Sequence, residues 1–442
     1  MYQGFLFKKL LLGNLWSDYA LKPYPVPYTV VTVAMGLLDF VVAPQMSAAV
    51  ILCLTTILFV SGSLFLIRSS QTSRWNPLFY VPLLYTLNAW LFWGEISYET
   101  GLGVLFFYLG FVFRRLDTLE RLGISPIVGY SCLLFAIHPI PWLVGAIVTA
   151  IVAIDPLDLR LATRIMAGYL PSAGLAAWYL IARFSSPAGH NSLRWYPWST
   201  HLIAGRFIDA FALFPGFLPW LGYAPGAMSL AAVANIVACL VTLAVWIWCA
   251  ISWLMADAKD TRRPIALAAI VCIAAFLTTG FAIGDWVGPG ERFMYPATWL
   301  ALAWLASRSS PPRYDRNARF AGYVLFSVII AQAIYVNAVV SRTVGNGLSD
   351  AYRDFAAAKS EGELCDRYRK LAQESFGPPH RRGLAPFIPN HPAVVRMPYY
   401  LYIDRDVAAP IFQVGLFAYS GPGDNENLCP QAIGTADERP AP

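Results

Sequence analysis

Apolar residues run through this chain in blocks of about twenty, separated by short polar clusters. Blocks of that length predict helices able to cross a hydrocarbon layer. Clear spans cover 47–67, 161–182, 227–255, 264–284 and 318–341, and shorter or interrupted ones cover 76–93, 96–113 and 293–307. The stretch 125–153 is too long for one upright helix and is broken by Pro139 and Pro141. It reads as two half-spans, or a tilted hairpin, turning at His138-Pro139-Ile140-Pro141. Segment 29–43, between Pro25/Pro27 and Pro44 and carrying Asp39, reads as a helix lying at the interface or entering part-way.

Composition sharpens this reading. The 442 residues are 57% hydrophobic, 15% aromatic and only 13% charged, and mean hydropathy is +0.52. Soluble domains carry about 25% charged residues, so a soluble enzyme, a disordered protein and a disulfide-stapled secreted module are excluded. The formal charge of +6 does not point to nucleic acid, because the basic residues sit in short clusters between apolar runs. The expected fold is an all-α polytopic membrane protein of about ten transmembrane helices, with a small α+β extracytoplasmic C-terminal domain. Helical spans rather than barrel strands place it, multi-pass, in a bacterial inner membrane, where membrane lipid surrounds it.

Short basic loops mark the cytoplasmic side. Arg68–Arg74, Arg114-Arg115 to Arg121 and Arg308–Arg319 are plainly basic, and loop 256–263 leans the same way. Loop 94–100, with Glu95 and Glu99, and loop 285–292, with Asp285, Glu291 and Arg292, belong outside by charge. These assignments alternate only if 125–153 crosses an even number of times, which supports the hairpin and puts loop 183–226 and the C-terminus outside.

The domains follow: 1–46 is an extracytoplasmic or interfacial N-terminal segment, 47–341 the transmembrane helical domain, and 342–442 the extracytoplasmic domain. From residue 343 on, the tail carries 10 Lys and Arg against 12 Asp and Glu, whereas the remainder carries 22 against 14. An amphipathic helix is expected over 348–374, and strands near Tyr399–Ile403 and Ile411–Tyr419. Span 47–67 must run inward, which puts Lys8, Lys9 and Lys22 outside with no signal peptide before them. Either the N-terminus is translocated without a signal or an upstream transmembrane helix has been lost through a late start codon, and the second is preferred.

Five cysteines (Cys53, Cys132, Cys239, Cys249, Cys272) lie in apolar runs, where a thiol behaves as a small hydrophobe. Cys365 and Cys429 lie in the tail, where an extracytoplasmic pair forms a disulfide or stays as two thiols; the disulfide is favoured. No CxxC, HExxH or paired Cys/His spacing suggests a metal site. The aromatic loop 183–226 reads as a belt at the outer boundary, or as a platform for a lipid tail or sugar ring with Arg206 and Asp209 as polar partners.

Four stretches in order carry a resemblance: Leu21-Lys22-Pro23-Tyr24-Pro25-Val26-Pro27, Trp93-Gly94-Glu95-Ile96-Ser97-Tyr98-Glu99-Thr100-Gly101-Leu102-Gly103, His138-Pro139, and Glu291-Arg292-Phe293-Met294-Tyr295-Pro296. Together, over roughly residues 18–341, the chain resembles bacterial integral membrane glycosyltransferases of the GT-C superfamily, particularly its poorly characterised members. The resemblance implies transfer of a sugar from a polyprenyl-phosphate donor to a cell-envelope acceptor on the outer face. It also implies an essential acid in a first loop after the first helix. On that resemblance the chain is expected to begin too late to contain that helix and the start of that loop, and Asp18 lies where the likeness gives no reason to expect the acid. An inactive fragment and a non-catalytic relative therefore stay open beside the enzyme.

The chemistry can be placed on residues. Inverting transfer needs a carboxylate to deprotonate the acceptor hydroxyl, and cations or a divalent metal ion at the departing phosphate. Glu95 and Glu99, four apart on one helical face at the mouth of a span, are the candidate acids; their mutual repulsion suits one to accept a proton. Two solvated loop-end glutamates are the plain alternative. Arg292, where the resemblance expects a positive residue, is the candidate phosphate ligand, against a local ion pair with Asp285. His138, beside a helix break in a membrane segment, joins it, as does Arg206. Asp285, Asp209 and Tyr295 are supporting candidates. No cofactor is certain and no ligand set for a metal is identified. The partners expected are membrane lipid and a polyprenyl-phosphate-linked sugar, with no nucleic acid. A transporter or flippase for a lipid-linked or amphiphilic substrate is the rival, although the chain shows no internal repeat; a non-enzymatic scaffold is a third. Sugar, acceptor and oligomeric state are not legible.

Overall fold

The computed structural model describes residues 2–13, 19–42, 44–70, 77–88, 91, 95–154, 159–184, 193–195, 200–211, 225–257, 260–278, 281–283, 290–308, a few positions between 320 and 334, and 417–419. Asp285, Cys365, Cys429 and nearly all of 342–442 lie outside these, as do the side chains of Arg206 and Asp209.

The described chain is mostly helical. Helix α1 (Tyr2–Leu11) and α2 (Thr29–Leu38) precede the long α3 (Pro44–Ser70), and a 3-10 helix follows over Pro77–Tyr85. Next come α4 (Ile96–Phe113), α5 (Ile124–Ile137), α6 (Pro139–Ile154), α7 (Leu159–Ala167) and α8 (Leu170–Phe184). The last are α9 (Thr200–Phe211), α10 (Pro225–Leu254), α11 (Arg263–Thr278) and α12 (Met294–Arg308). Two three-residue antiparallel pairings complete the set. Strand β1 (Tyr19–Leu21) pairs with β4 (Phe417–Tyr419), Tyr19 opposite Tyr419, and β2 (Leu193–Trp195) with β3 (Phe281–Ile283), Leu193 opposite Ile283.

Among the described residues, three helices are long and apolar enough to cross a membrane: Met46–Ser70, Ile96–Phe113 and Asn235–Leu254. A fourth is made if the pair Arg160–Ala167 and Leu170–Ala182, bent by 55°, counts as one span. The expected continuous span at 161–182 is thus broken. Over its described part the 76–93 block is chiefly 3-10 helix, at Pro77–Tyr85, rather than a continuous α-helical span. Pro77 and Pro82 remove two amide donors, and a nine-residue 3-10 helix results, about 18 Å long at 2 Å per residue.

The block 125–153 divides at His138, whose backbone is extended at φ −164° and ψ 133°. Steric pressure from the ring of Pro139 disfavours helical geometry at the residue before it. Tyr130 of α5 packs on Tyr108 and Phe111 near the end of α4. In α6, Pro141 lies against Gly101, Gly145 against Leu105, and Thr149 bonds Tyr108. So α5 runs antiparallel to α4 and α6 runs parallel to it, which makes the pair a hairpin with its tip at His138. At 14 and 16 residues the arms measure about 21 and 24 Å.

Close packing of α3 on α4 rests on two glycines that face one another. A Cβ on Gly62 would stand 2.4 Å from the Gly103 carbonyl oxygen, and one on Gly103 only 2.8 Å from the Leu58 backbone. Small residues let helix backbones approach without a hydrophobic drive. Helices α4 and α12 are buried on nearly every side, while α10 turns Ile236, Leu240, Ile247 and Trp248 outward.

Helix polarity gathers the basic ends on one face. Arg308 Nη1 pairs with Asp260 Oδ2 at 3.0 Å, and Thr261 Oγ1 donates to Asp117 Oδ1 at 3.1 Å. Arg262 Nη1 donates to the Ser70 carbonyl at 3.3 Å. These contacts join the C-terminal ends of α3 and α12 to the turn after α4 and the loop before α11. The N-terminal ends of α4, α6 and α12 meet at the opposite face.

Candidate functional site

At that opposite face three helices start within reach of one another. Glu95 precedes the first turn of α4, His138 precedes α6, and Arg292 sits in a short 3-10 turn (Glu291–Phe293) that leads into α12. Each N-terminus carries partial positive charge from unpaired amides.

Arg292 Nη2 bonds Glu95 Oε1 at 2.7 Å, with side-chain exposures of 11% and 33%. The carboxylate therefore keeps an edge toward the outside while the guanidinium is almost enclosed. The Tyr98 hydroxyl donates to the Arg292 backbone carbonyl, and the guanidinium lies 5.9 Å from the centre of the Tyr98 ring. This positions the 290–293 turn against the first turn of α4.

His138 is fully buried between two tyrosine rings. Its ring meets Tyr28 edge-on at 4.9 Å and Tyr98 at 5.2 Å. Nδ1 accepts the Ile140 amide at 3.1 Å, so in the neutral ring the proton sits on Nε2. That nitrogen is buried and, among the described residues, has no hydrogen-bond partner. Gly101 allows the approach, because a Cβ there would lie 2.8 Å from Pro141 Cγ and 3.3 Å from His138 Cβ.

Glu99, one turn further along α4, is separate from this pair. It is fully buried, its Oε1 accepts Asn88 Nδ2 at 2.9 Å, and its Oε2 has no partner. Asn88 also donates to the Tyr85 carbonyl at 3.2 Å and accepts the Leu91 amide at 3.1 Å, closing the chain beyond the 3-10 helix.

The structure thus brings Glu95, Arg292 and His138 together around Tyr98. The two glutamates, expected either to repel one another or to be solvated at a loop end, take different partners: Glu95 faces Arg292 and Glu99 faces Asn88. Tyr295 lies in an aromatic cluster with Phe59, Tyr85, Phe211 and Trp299, and its hydroxyl donates to the Ala210 carbonyl at 2.7 Å. It supports the core beneath the site. Phe207 and Phe211 pack on Trp246, and the other aromatic side chains expected to form a belt or platform lie outside the described residues. Arg206, Asp209 and Asp285 fall outside what the structure describes.

Sequence reading missed Tyr28, Tyr98 and Asn88. Tyr28 adopts φ +72°, rare for a residue with a bulky side chain and a costly geometry that surrounding packing must hold. Nothing in Pro27-Tyr28-Thr29 announces it. Among the described residues no group of three or more His, Cys, Asp or Glu side chains gathers as metal ligands. The positive side chain that the structure places at this site is the Arg292 guanidinium.

Comparison with protein-family models, curated proteins and solved structures finds no match to this chain.

Proposed function

We propose that this protein is an integral membrane transferase that moves a sugar from a polyprenyl-phosphate donor to a hydroxyl acceptor in the cell envelope. The observation that carries the reading is the Arg292–Glu95 bond, set where three helix N-termini converge. Helix N-termini and a bidentate guanidinium are the groups that hold phosphate.

In this mechanism the donor phosphate takes over Arg292 and releases the Glu95 carboxylate. The His138 Nε2 proton serves a second phosphate oxygen. Glu95 then accepts the acceptor's hydroxyl proton as its oxygen attacks the anomeric carbon. The carbon–phosphate-oxygen bond breaks, and its electron pair leaves on the polyprenyl phosphate, stabilised by Arg292. The reading retains about ten crossings, an extracytoplasmic α+β tail closed by a Cys365–Cys429 disulfide, and a bacterial inner membrane with the basic face cytoplasmic. Arg206, Asp209 and Asp285 remain its further polar candidates.

The test is transfer of radiolabelled sugar from polyprenyl-phosphate donors in proteoliposomes holding the full chain. Activity in the wild type, lost in Glu95→Gln and Arg292→Ala with normal insertion, supports the proposal; equal transfer in all three removes it. A transporter or flippase is the second reading, favoured by one observation: a buried carboxyl, Glu99, inside a span. Movement of fluorescent lipid between leaflets without sugar transfer would select it.

A further inference from the structure

We infer that Glu99 is a proton-binding site in the membrane interior, holding its proton as a neutral carboxylic acid beneath the Glu95–Arg292 pair. This goes beyond the transfer reading and does not rest on it.

The inference stands on geometry. Glu99 is wholly buried, on a helix itself buried on nearly every side. Among the described residues its one hydrogen-bond partner is the Asn88 amide, a neutral donor at 2.9 Å. Among the described residues no cation is seen pairing with it; the nearby Arg292 pairs with Glu95. The groups that face it or its neighbours are Tyr85 and Asn88 from the 3-10 segment, Tyr98 and Thr100 on its own helix, and Thr55 of α3, bonded to Thr100 at 2.9 Å. An ionised carboxylate in so dry a place, with a single neutral hydrogen bond and one bare oxygen, would carry a large uncompensated desolvation cost. Protonation removes that cost: Oε1 remains the acceptor for Asn88, and Oε2 carries the hydrogen. Binding adds one proton from the aqueous phase and release returns it, with no other reactant. Release requires water or a cation to reach Oε2, and Asn88, at the end of the 77–88 segment, is the side chain that closes over Oε1.

Infrared spectroscopy of the full chain in lipid nanodiscs tests this. At neutral pH the wild-type spectrum should contain a carboxylic-acid carbonyl band that is lost in Glu99→Gln and shifted, not lost, in Glu99→Asp. Dicyclohexylcarbodiimide, an apolar reagent that adds to protonated carboxyls, should label the Glu99 peptide and leave Glu95 unlabelled. The inference is overturned if Glu99→Gln removes only carboxylate bands, whatever the labelling shows. Because neither readout requires sugar transfer, its failure is distinguishable from failure of the proposed function.

Discussion

Arg292 and Glu95, 197 residues apart in the chain, meet through a 2.7 Å bond between the starts of two buried helices. Because the arginine is nearly enclosed, its charge depends on a partner: Glu95 in this structure and, on the proposed reading, the donor phosphate. A single group thereby sets the state of both, which makes the pair the first place to test.

Replacing Glu95 by Gln should lower sugar transfer by about 10²–10⁴-fold, the usual contribution of a general base. It should also cost about 1–3 kcal/mol in stability, since a buried guanidinium loses its acceptor. Arg292→Lys should not rescue, because a point charge cannot reproduce the fork. The exchange Glu95→Arg with Arg292→Glu should recover thermal stability but not transfer. Recovery of both would show that the pair is only a structural tie.

His138 tests the hairpin tip. Gly101→Val places side-chain carbon where Pro141 and His138 now lie, at 2.8 and 3.3 Å from the added Cβ. The tip should be displaced from α4, and transfer should fall while membrane insertion stays normal. Paired with His138→Phe, which keeps an aromatic ring between Tyr28 and Tyr98 but removes both nitrogens, the loss of transfer should not be additive. Independent, multiplying losses would separate His138 from the effect of Gly101.

The α3–α4 contact should respond sharply to size. Gly62→Ala forces a carbon to within 2.4 Å of the Gly103 oxygen unless the helices part. Overpacking of this kind costs about 1–3 kcal/mol, read as a lowered midpoint of thermal aggregation in detergent. Gly174, where an added Cβ meets nothing within 4 Å, is the control and should leave the midpoint unchanged on replacement by Ala.

Sidedness can be read with a membrane-impermeant maleimide. Val41, 82% exposed just before α3, belongs to the face of Glu95, and Asp117, exposed after α4, to the basic face. In intact cells Val41→Cys should label and Asp117→Cys should not; disruption of the membrane should expose the second. The reverse pattern would invert the orientation inferred from the arginines.

Much of the helical architecture was legible because burial of apolar length is a local property of sequence. The blocks 47–67, 96–113 and 293–307 reappear within a few residues as Pro44–Ser70, Ile96–Phe113 and Met294–Arg308. The turn at His138 followed from proline sterics alone. The site was legible in part: charge placed Glu95 and Arg292 on one side, but their spacing said nothing of their bond.

What the sequence by itself determined, then, is where the chain is apolar for long enough to form helices, where proline breaks them, and which ends carry arginine. These depend on residues within a turn or two of each other. Only the tertiary structure decided that Glu95 faces Arg292 while Glu99 faces Asn88, and that Tyr28 is held at positive φ against His138. Two glutamates one turn apart share a helical face, and their different fates come from which distant segment packs over each, information that no local pattern holds.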